Sequence, residues 1–253
     1  MRISLLAGFI LCVSALSAQG GNTFAEKFPH VTLFDSADVL TNAPKASSDT
    51  GIKDAERATP KTNWKGIFWQ STAFLSLQTG TRLIEQEKTR RELRGPFFGD
   101  WLRSIRITQW NDGGKFFTNY IAHSAGGSVW AYIYEQNSAE HVPFRWNAAY
   151  RDAKLRQLGF AFVGSELFEF FSPLSEAAIG NVGYKTGKPG LVDHVCTPIC
   201  GIAWSIGEDA LDRYVVRKML AKPGAHRKIA ASLLNPTRSL ANILRGKAPW
   251  YRR

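Results

Sequence analysis

A stretch of 19 residues, from Phe116 to Tyr134, contains no Lys, Arg, Asp or Glu. A segment of this length folds either as a helix buried in protein or as a helix that spans a membrane. It also contains Asn119, His123 and several serines, which are unfavourable in contact with lipid. The stretch predicts a helix over residues 116–136, and both placements stay open.

Three further segments have a helical pattern, and none shows the alternation typical of a strand. They cover residues 63–93, 153–171 and 191–216, and Pro198 is expected to kink the last one. Small residues on one face of the second and fourth helices favour a close approach of two helices. They are Ser124, Gly127, Ser128 and Ala131, and Cys196, Cys200, Ala203 and Gly207. The sequence therefore predicts an all-α fold with a four-helix bundle core.

The first 18 residues have the organisation of a secretory signal peptide. Arg2 supplies a positive charge, residues 5–15 form an apolar core, and small residues follow at the expected cleavage position. An uncleaved anchor is the alternative, and a lipoprotein anchor at Cys12 is disfavoured because Leu11 precedes it. We therefore expect an exported protein that is periplasmic or associated with an envelope membrane.

Four regions follow from this pattern along the chain. Residues 1–18 form the signal peptide, and the polar residues 19–60 form a flexible, disordered leader. Residues 61–216 form the helical domain, and residues 217–253 form a basic amphipathic tail.

Two cysteines, Cys196 and Cys200, remain once the signal peptide is removed. Their spacing of four residues on a predicted helix strains a disulfide, and no further ligands stand at zinc-finger spacing. We expect both to act as small apolar side chains.

The net charge of +11 is concentrated at the C-terminal end of the sequence. Residues 213–253 contain 11 Lys or Arg and no Asp or Glu, whereas the preceding residues hold 21 basic and 21 acidic side chains. Such asymmetry favours a polyanionic partner. For an exported chain this partner is an anionic lipid or membrane surface, and no nucleic acid is expected.

The tail contains one predicted helix. Asn235 and Pro236 are typical of the N-cap and first turn, Gly246 is typical of the end, and residues 240–244 form an apolar face. This helix either lies on a membrane or docks on the domain with its arginines in solvent, and both alternatives stay open. The candidate lipid-binding residues are Arg238, Arg245, Lys247, Trp250, Tyr251, Arg252 and Arg253.

Polar residues at helical spacing mark a candidate site in the predicted core. Glu166 and Glu169 lie three residues apart on the third helix, His123 lies on the second, and Asp193 opens the fourth. An imidazole that meets carboxylates between helices can bind a divalent metal or act as a general base. The alternative is that these groups are hydrogen-bonded pairs that connect helices. The candidate catalytic residues are His123, Glu166, Glu169 and Asp193, and the candidate metal ligands are His123, Glu169 and Asp193.

The remaining motifs identify no cofactor. The sequence has no nucleotide-binding glycine loop, hydrolase elbow or zinc-protease helix. The acidic run formed by Glu208, Asp209 and Asp212 lies at the predicted C-terminal end of a helix, where carboxylates oppose the helix dipole. We expect it to be neutralised by basic partners such as Arg213 and Arg217.

Several short motifs occur in a set order along the chain. They are F-x-T-N-Y-x-x-H at 116–123, G-S at 127–128, G-S-E-x-x-E at 164–169, P-x-S-E at 173–176, Asp193, G-E-D at 207–209 and N-P-x-R at 235–238. This order resembles the exported helical bacterial envelope proteins grouped as a domain of unknown function, over residues 63–245. Ser124 departs from that pattern, which has Pro there, and the loop before Asp193 is longer. The resemblance, like a looser similarity to VanZ-like membrane proteins, implies location and fold without an activity.

Two functions are consistent with these features. The first is an exported, membrane-associated protein with an interaction or structural role at an anionic lipid surface. The alternative is a metal- or acid/base-dependent, hydrolase-like enzyme that acts on a lipid or envelope substrate through the His/Glu/Asp site.

Overall fold

A computed structural model of the chain describes residues 61–104, 107, 109–179 and 190–252. The predicted signal peptide at 1–18, the leader at 19–60 and Arg253 lie outside the described residues. Within the described residues the fold is all-α, as predicted. One isolated β-bridge joins Gln109 to Gly190 in this part of the chain.

Wider, π-helical turns interrupt or extend several of the helices. The first three are α1 (Trp64–Glu85), α2 (Glu87–Glu92) and α3 (Phe97–Ser104). Segment π1 (Phe117–Ala122) leads into α4 (His123–Asn137), and π2 (Leu167–Phe171) extends α5 (Ala148–Glu166). Next come α6 (Val192–Val195), π3 (Cys196–Cys200), α7 (Gly201–Leu211), π4 (Asp212–Val216) and α8 (Arg217–Leu220). The last two are α9 (Ala225–Leu234) and α10 (Pro236–Leu244).

Helix α4 lies at the centre of the domain and packs against α1, α5, α7 and α10. Its residues Trp130, Tyr132 and Ile133 form the hydrophobic core together with Phe74 of α1 and Ala241 of α10. This position explains the uncharged stretch, because a helix covered by neighbours has little surface on which to place charge. In the described part of the chain, every helix is too short or too polar to cross a bilayer.

The predicted small-residue faces meet where α4 crosses π3 and α7. A Cβ atom added to Gly127 would lie 1.6 Å from the carbonyl oxygen of Thr197, and one added to Gly201 would lie 2.6 Å from Gly127. The two backbones are therefore in direct contact. Gly207, which the pattern also placed on this face, has no neighbouring atom within 4 Å and takes no part in the crossing.

The cysteines behave as expected from their spacing. Cys196 and Cys200 are both free thiols, and Cys196 is buried. Burial raises the pKa of the Cys196 thiol to about 11, which keeps it protonated at neutral pH.

Helix α10 packs into the core. Of the two alternatives, it is therefore docked on the domain, and its apolar face is not free to lie on a membrane. Ala241 is fully buried, and Leu240 and Leu244 pack against the core cluster. Asn235 is the N-cap residue and Pro236 stands in the first turn, as predicted. The expected boundary at residue 216 therefore does not separate the helical domain from an independent tail.

A buried ionic network, which we call the Asp209 cluster, joins α10 to α4, α5 and α7. Asp209 Oδ1 accepts hydrogen bonds from Tyr132 (3.0 Å) and Arg238 (2.5 Å). Asp209 Oδ2 accepts one from Tyr150 (2.7 Å) and lies 2.7 Å from Lys154 Nζ. The Asp209 cluster comprises Tyr132, Tyr150, Lys154, Glu208, Asp209 and Arg238.

Within the Asp209 cluster, Glu208 makes the capping hydrogen bonds of α10, because the side chain of the N-cap residue Asn235 makes none. Its two carboxylate oxygens accept hydrogen bonds from the backbone amides of Thr237 and Arg238, each at 3.0 Å. A carboxylate at this position also interacts favourably with the helix dipole. The acidic run is thus neutralised mainly by α10 and Lys154. Of the two expected partners, Arg217 binds Asp212, whereas Arg213 bonds to the carbonyl of Phe144.

Candidate metal centre

Three of the π-helical segments converge on the predicted site. His123 directly follows π1, Glu169 lies within π2, and Asp193 lies in α6, one turn before π3. The amide of His123 donates to the carbonyl of Thr118, five residues earlier, in place of the usual four. Such single wide turns occur often at functional sites because they redirect side chains out of the regular helical register.

Segment π3 has a local cause in the sequence. Pro198 has no amide hydrogen, so the helix loses one backbone hydrogen bond at this position and widens. This change places Thr197 beside His123, with 3.0 Å between Thr197 Oγ1 and His123 Nδ1. The kink expected at Pro198 is therefore part of the site.

The structure brings together three of the four candidate residues. His123 Nδ1 lies 3.6 Å from Glu169 Oε1, and His123 Nε2 lies 3.6 Å from Asp193 Oδ1. One ligand atom from each of the three residues lies within 4.8 Å of the others. The side chains of all three are at least 87% buried, with His123 the most accessible at 13% exposure.

These distances fit a metal better than they fit hydrogen bonds. A separation of 3.6 Å is too long for a hydrogen bond. Accordingly, the buried Glu169 Oε1 and Asp193 Oδ1 have no hydrogen-bond partner. Metal–ligand bonds of about 2.0–2.2 Å place neighbouring ligand atoms about 3–4 Å apart. The two 3.6 Å contacts involve opposite nitrogens of the His123 ring, so one metal ion would use one of these nitrogens together with the two carboxylates, and such a set of three ligand atoms lies within 4.8 Å. One imidazole and two carboxylates form a donor set suited to Zn²⁺, Mn²⁺ or Fe²⁺.

Burial changes the ionisation of all three side chains. It raises the pKa of Glu169 well above its usual range, and Glu176 and Asp193 raise it further. Burial, with Asp112 and Glu176, raises the pKa of Asp193 to about 8. Burial also lowers the pKa of His123. The cluster therefore binds protons on its carboxylates at neutral pH, and a cation that displaces them restores the ionised form.

Glu166, the fourth candidate, has a different partner. Its Oε1 lies 2.8 Å from Nδ1 of His194, and this hydrogen bond is the main reason that the pKa of His194 is raised. Of the two glutamates on this helix, Glu169 is therefore the one beside His123. Because π2 begins one residue after it, Glu166 and Glu169 do not share the helical face that a regular spacing of three predicts.

Sequence analysis missed three residues beside the cluster. Arg82 Nε lies 3.3 Å from Glu176 Oε1, and the Arg82 guanidinium lies 5.0 Å from the centre of the Phe168 ring. Asp112 accepts a hydrogen bond of 2.6 Å from Asn119 Nδ2. Glu176 lies in the P-x-S-E motif, which could have identified it, whereas Arg82 opens a highly charged stretch that predicts a solvent-exposed face.

The candidate lipid-binding residues do not form one exposed set. Arg245, Lys247 and Tyr251 are exposed, and Trp250 is half-buried. Arg238 is 7% exposed and paired with Asp209, and the largely buried Arg252 is paired with Asp212. Arg238 and Arg252 are therefore not exposed to a lipid surface as predicted. Their acidic partners lie on other helices, and the local sequence gives no signal of these pairs.

Comparison with protein-family models, with curated proteins and with solved structures gives no match to this chain. What this site can bind is therefore inferred from the arrangement of its own residues. Three protein ligands leave open coordination positions, and the hydrogen bond between Nδ1 and Thr197 holds the imidazole ring in place, with Nε2 on the side of Asp193.

Proposed function

We propose that this protein binds one divalent transition-metal cation through His123, Glu169 and Asp193 and uses it for hydrolytic, acid–base chemistry. The observation that carries the proposal is the pair of buried carboxylate oxygens, one on Glu169 and one on Asp193, that face the same imidazole without hydrogen bonds. Buried polar atoms in native proteins are nearly always satisfied, so these two indicate a missing ligand.

The competing interpretation, in which the three side chains only connect helices, predicts direct hydrogen bonds. The Asp209 cluster shows what such connections look like in this same domain, with donor–acceptor distances of 2.5–3.0 Å around Asp209. The His123 contacts of 3.6 Å do not follow that pattern. A cation inserted between the ligands accounts for the difference.

Metal coordination would supply the chemistry that the side chains alone lack. A bound divalent cation lowers the pKa of a coordinated water molecule towards neutrality and polarises an oxygen of the substrate. The neighbouring pair of Glu166 and His194 is joined at 2.8 Å, and the Glu166 charge contributes to the raised pKa of Glu169.

The experiment is a titration of the purified, chelator-treated protein with Co²⁺ and Zn²⁺. We expect one equivalent to bind, a visible Co²⁺ spectrum typical of a nitrogen ligand, and a higher melting temperature. At 100 times the dissociation constant the stabilisation is about 2.7 kcal/mol. Glu169→Gln and Asp193→Asn should each weaken binding by about 10-fold or more.

Glu166→Gln is the matched control, because it removes a carboxylate from the same region without removing a proposed ligand. It should keep stoichiometric binding. Absence of saturable binding in the parent protein, or equal binding by the parent and both ligand variants, would overturn the proposal.

A second function, attachment to an anionic membrane surface after export, is favoured by the exposed Arg245, Lys247 and Tyr251. We propose a peripheral, electrostatic contact. It should be lost at high salt and weakened by Arg245→Glu with Lys247→Glu in a sedimentation assay with anionic vesicles. The control is Lys65→Glu with Lys115→Glu, which changes the net charge equally at two other exposed positions. If this control loses as much vesicle binding, the contact is not specific to residues 245–251.

A further inference from the structure

Arg82 is a buried cation with unused hydrogen-bonding capacity. It lies in the last turn of α1 and is 6% exposed. None of its three side-chain nitrogens has a hydrogen-bond partner, although Nε lies 3.3 Å from Glu176 Oε1. A guanidinium carries five N–H donors, and a buried one normally uses most of them on planar acceptors.

The guanidinium lies against the segments that carry the metal ligands. It stacks over Phe168, the residue before Glu169 in π2. Backbone hydrogen bonds tie the next segment to the same turn, because the amides of Glu176 and Ala177 donate to the carbonyls of Phe168 and Glu169. Glu176 and Glu169 are thus held together beside Arg82.

Helix α1 also approaches the ligand on α4. A Cβ added to Gly126, three residues after His123, would lie 3.7 Å from Nε2 of Gln78, one turn before Arg82 on α1. The positive charge of Arg82 acts on both sides of the cluster, since it adds to the burial that lowers the pKa of His123 and partly opposes the burial that raises the pKa of Glu169. The inner end of α1 therefore forms one wall of the candidate metal centre.

We infer that Arg82 binds the phosphoryl group of a ligand that reacts at the metal centre. The two terminal nitrogens of the guanidinium have no protein partner and match two oxygens of a phosphoryl group in a bidentate contact. A phosphoryl group then keeps a further oxygen for the metal, whereas a carboxylate, with two oxygens, has none. The role of that further oxygen rests on the proposed metal site, but the contact with Arg82 does not.

Glu176 holds Arg82 in place from one side only. Its carboxylate faces Nε, and the two terminal nitrogens are buried with their hydrogen-bonding capacity unused, so a ligand must displace neighbouring side chains to reach them. Glu176 also repels an approaching anion. Removal of its charge by Glu176→Gln should therefore strengthen phosphoryl binding, whereas a simple counterion pair predicts no effect on any ligand.

The test uses phenylphosphonate, a soluble phosphoryl compound that resists hydrolysis, and calorimetric titration of both metal-free and Co²⁺-treated protein. We expect Arg82→Gln to weaken phenylphosphonate binding by about 10-fold or more, as loss of a bidentate contact implies. Arg82→Lys should be weakened as well, because an ammonium cannot form that contact. Co²⁺ binding should be retained in both variants.

The double variant Arg82→Gln with Glu176→Gln separates loss of the guanidinium from loss of folding. It replaces the charged pair with two neutral amides, so neither side chain is left as an unpaired buried charge. If it melts like the parent protein and does not bind phenylphosphonate, the loss belongs to the missing guanidinium. If Arg82→Gln or this double variant binds phenylphosphonate as tightly as the parent, the inference is wrong.

Two further outcomes separate the two proposals and the source of the phosphoryl group. Failure to bind Co²⁺ overturns the metal site, while the titration of metal-free protein still decides the Arg82 contact. Failure of phenylphosphonate to bind either form overturns the Arg82 contact alone. Vesicles of phosphatidylcholine with phosphatidate identify a lipid headgroup if they bind in an Arg82-dependent manner, and binding of phenylphosphonate alone identifies a soluble phosphoester.

Discussion

Helix α4 carries residues of two buried ionic clusters, and the two differ in how far their polar atoms are satisfied. In the Asp209 cluster, each oxygen of the Asp209 carboxylate is approached by two donors within 3.0 Å. In the candidate metal centre, one oxygen of Glu169 and one of Asp193 have no partner. A buried network with every oxygen paired fits a structural role, whereas unpaired oxygens indicate a place for a ligand.

The two clusters also differ in the pKa of their aspartates. Burial tends to raise the pKa of Asp209, but Lys154 and Arg238 outweigh it and the pKa falls below its usual value. For Asp193, burial and neighbouring carboxylates act together and raise the pKa to about 8. Two aspartates at similar depth thus prefer opposite states, because the nearby charges have opposite sign.

The largest effect is expected from removal of the Asp209 charge. Asp209→Asn leaves Lys154 and Arg238 buried without their counterion, which should lower the free energy of unfolding by about 3–5 kcal/mol. Urea unfolding at pH 7 measures this change. Asp152→Asn, at an exposed position of α5, is the control and should change stability by less than about 0.5 kcal/mol. A small loss of stability in Asp209→Asn would show that the Asp209 cluster does not stabilise the fold.

The helix crossing between the two clusters gives the next largest effect. Gly127→Ala forces a methyl group against the carbonyl of Thr197 and should destabilise the protein by about 2–3 kcal/mol. Because Thr197 orients His123, metal affinity should fall as well. Gly207→Ala, where no atom lies within 4 Å, should instead be neutral or stabilising by up to about 1 kcal/mol. Equal effects of the two changes in thermal unfolding would contradict the crossing.

In the candidate metal centre, removal of a carboxylate should raise the free energy of unfolding instead of lowering it. Glu169→Gln in the metal-free protein removes a carboxylate whose raised pKa makes folding less favourable at neutral pH. We expect the free energy of unfolding at pH 7 to rise in this variant, because the neutral amide does not have to be protonated or desolvated as a charge on folding. Chelator-treated protein in urea is the appropriate sample. A loss of stability comparable to that of Asp209→Asn would show that the two clusters are not different in kind.

The last difference between the two clusters is in the pH dependence of stability, measured as a slope and not as a single loss. Because the pKa of Asp193 is about 8 in the folded protein and about 4 when unfolded, the folded state binds the extra proton in that interval. Its contribution to stability therefore falls as pH rises from about 4 to about 8. Asp209, with a lowered pKa, contributes stability above about pH 4 that is lost as pH falls through its folded pKa.

Unfolding curves of the metal-free protein between pH 4 and 9 separate these contributions. Asp193→Asn should flatten the decline between pH 4 and 8, while Asp209→Asn should flatten the acid side. Metal affinity of the parent protein should increase with pH over the Asp193 interval, because the metal replaces protons. An unchanged slope in Asp193→Asn would show that this carboxyl is not protonated in the fold.

The helices and the central ligands could be predicted because both depend on local spacing. The uncharged residues 116–134, the small-residue faces and the N-cap at Asn235 are periodic or adjacent features, and each marks a helix that the structure contains. His123, Glu169 and Asp193 are polar residues in apolar helices, which indicates a buried position. Their convergence follows once those helices pack together.

The partners that complete each cluster could not be predicted in the same way. Arg82 and Arg238 stand in basic or mixed-charge segments, where the local pattern indicates solvent. Each is buried and paired with a carboxylate far away in the sequence, Arg82 with Glu176 in the turns after π2 and Arg238 with Asp209 of α7. The wide turn at π2 also separates Glu166 from Glu169. None of these long-range pairings or register changes has a periodic signal.

The position of α10 has a consequence for the order in which the chain folds. Translation produces the protein from its N-terminal end, and α10 is the last helix of the described residues. Until residues 236–244 are synthesised, Asp209 and Glu208 have neither Arg238 nor the α10 amides, and the core lacks Ala241. The core that α1, α4 and α10 share therefore closes only after residues 236–244 have left the ribosome.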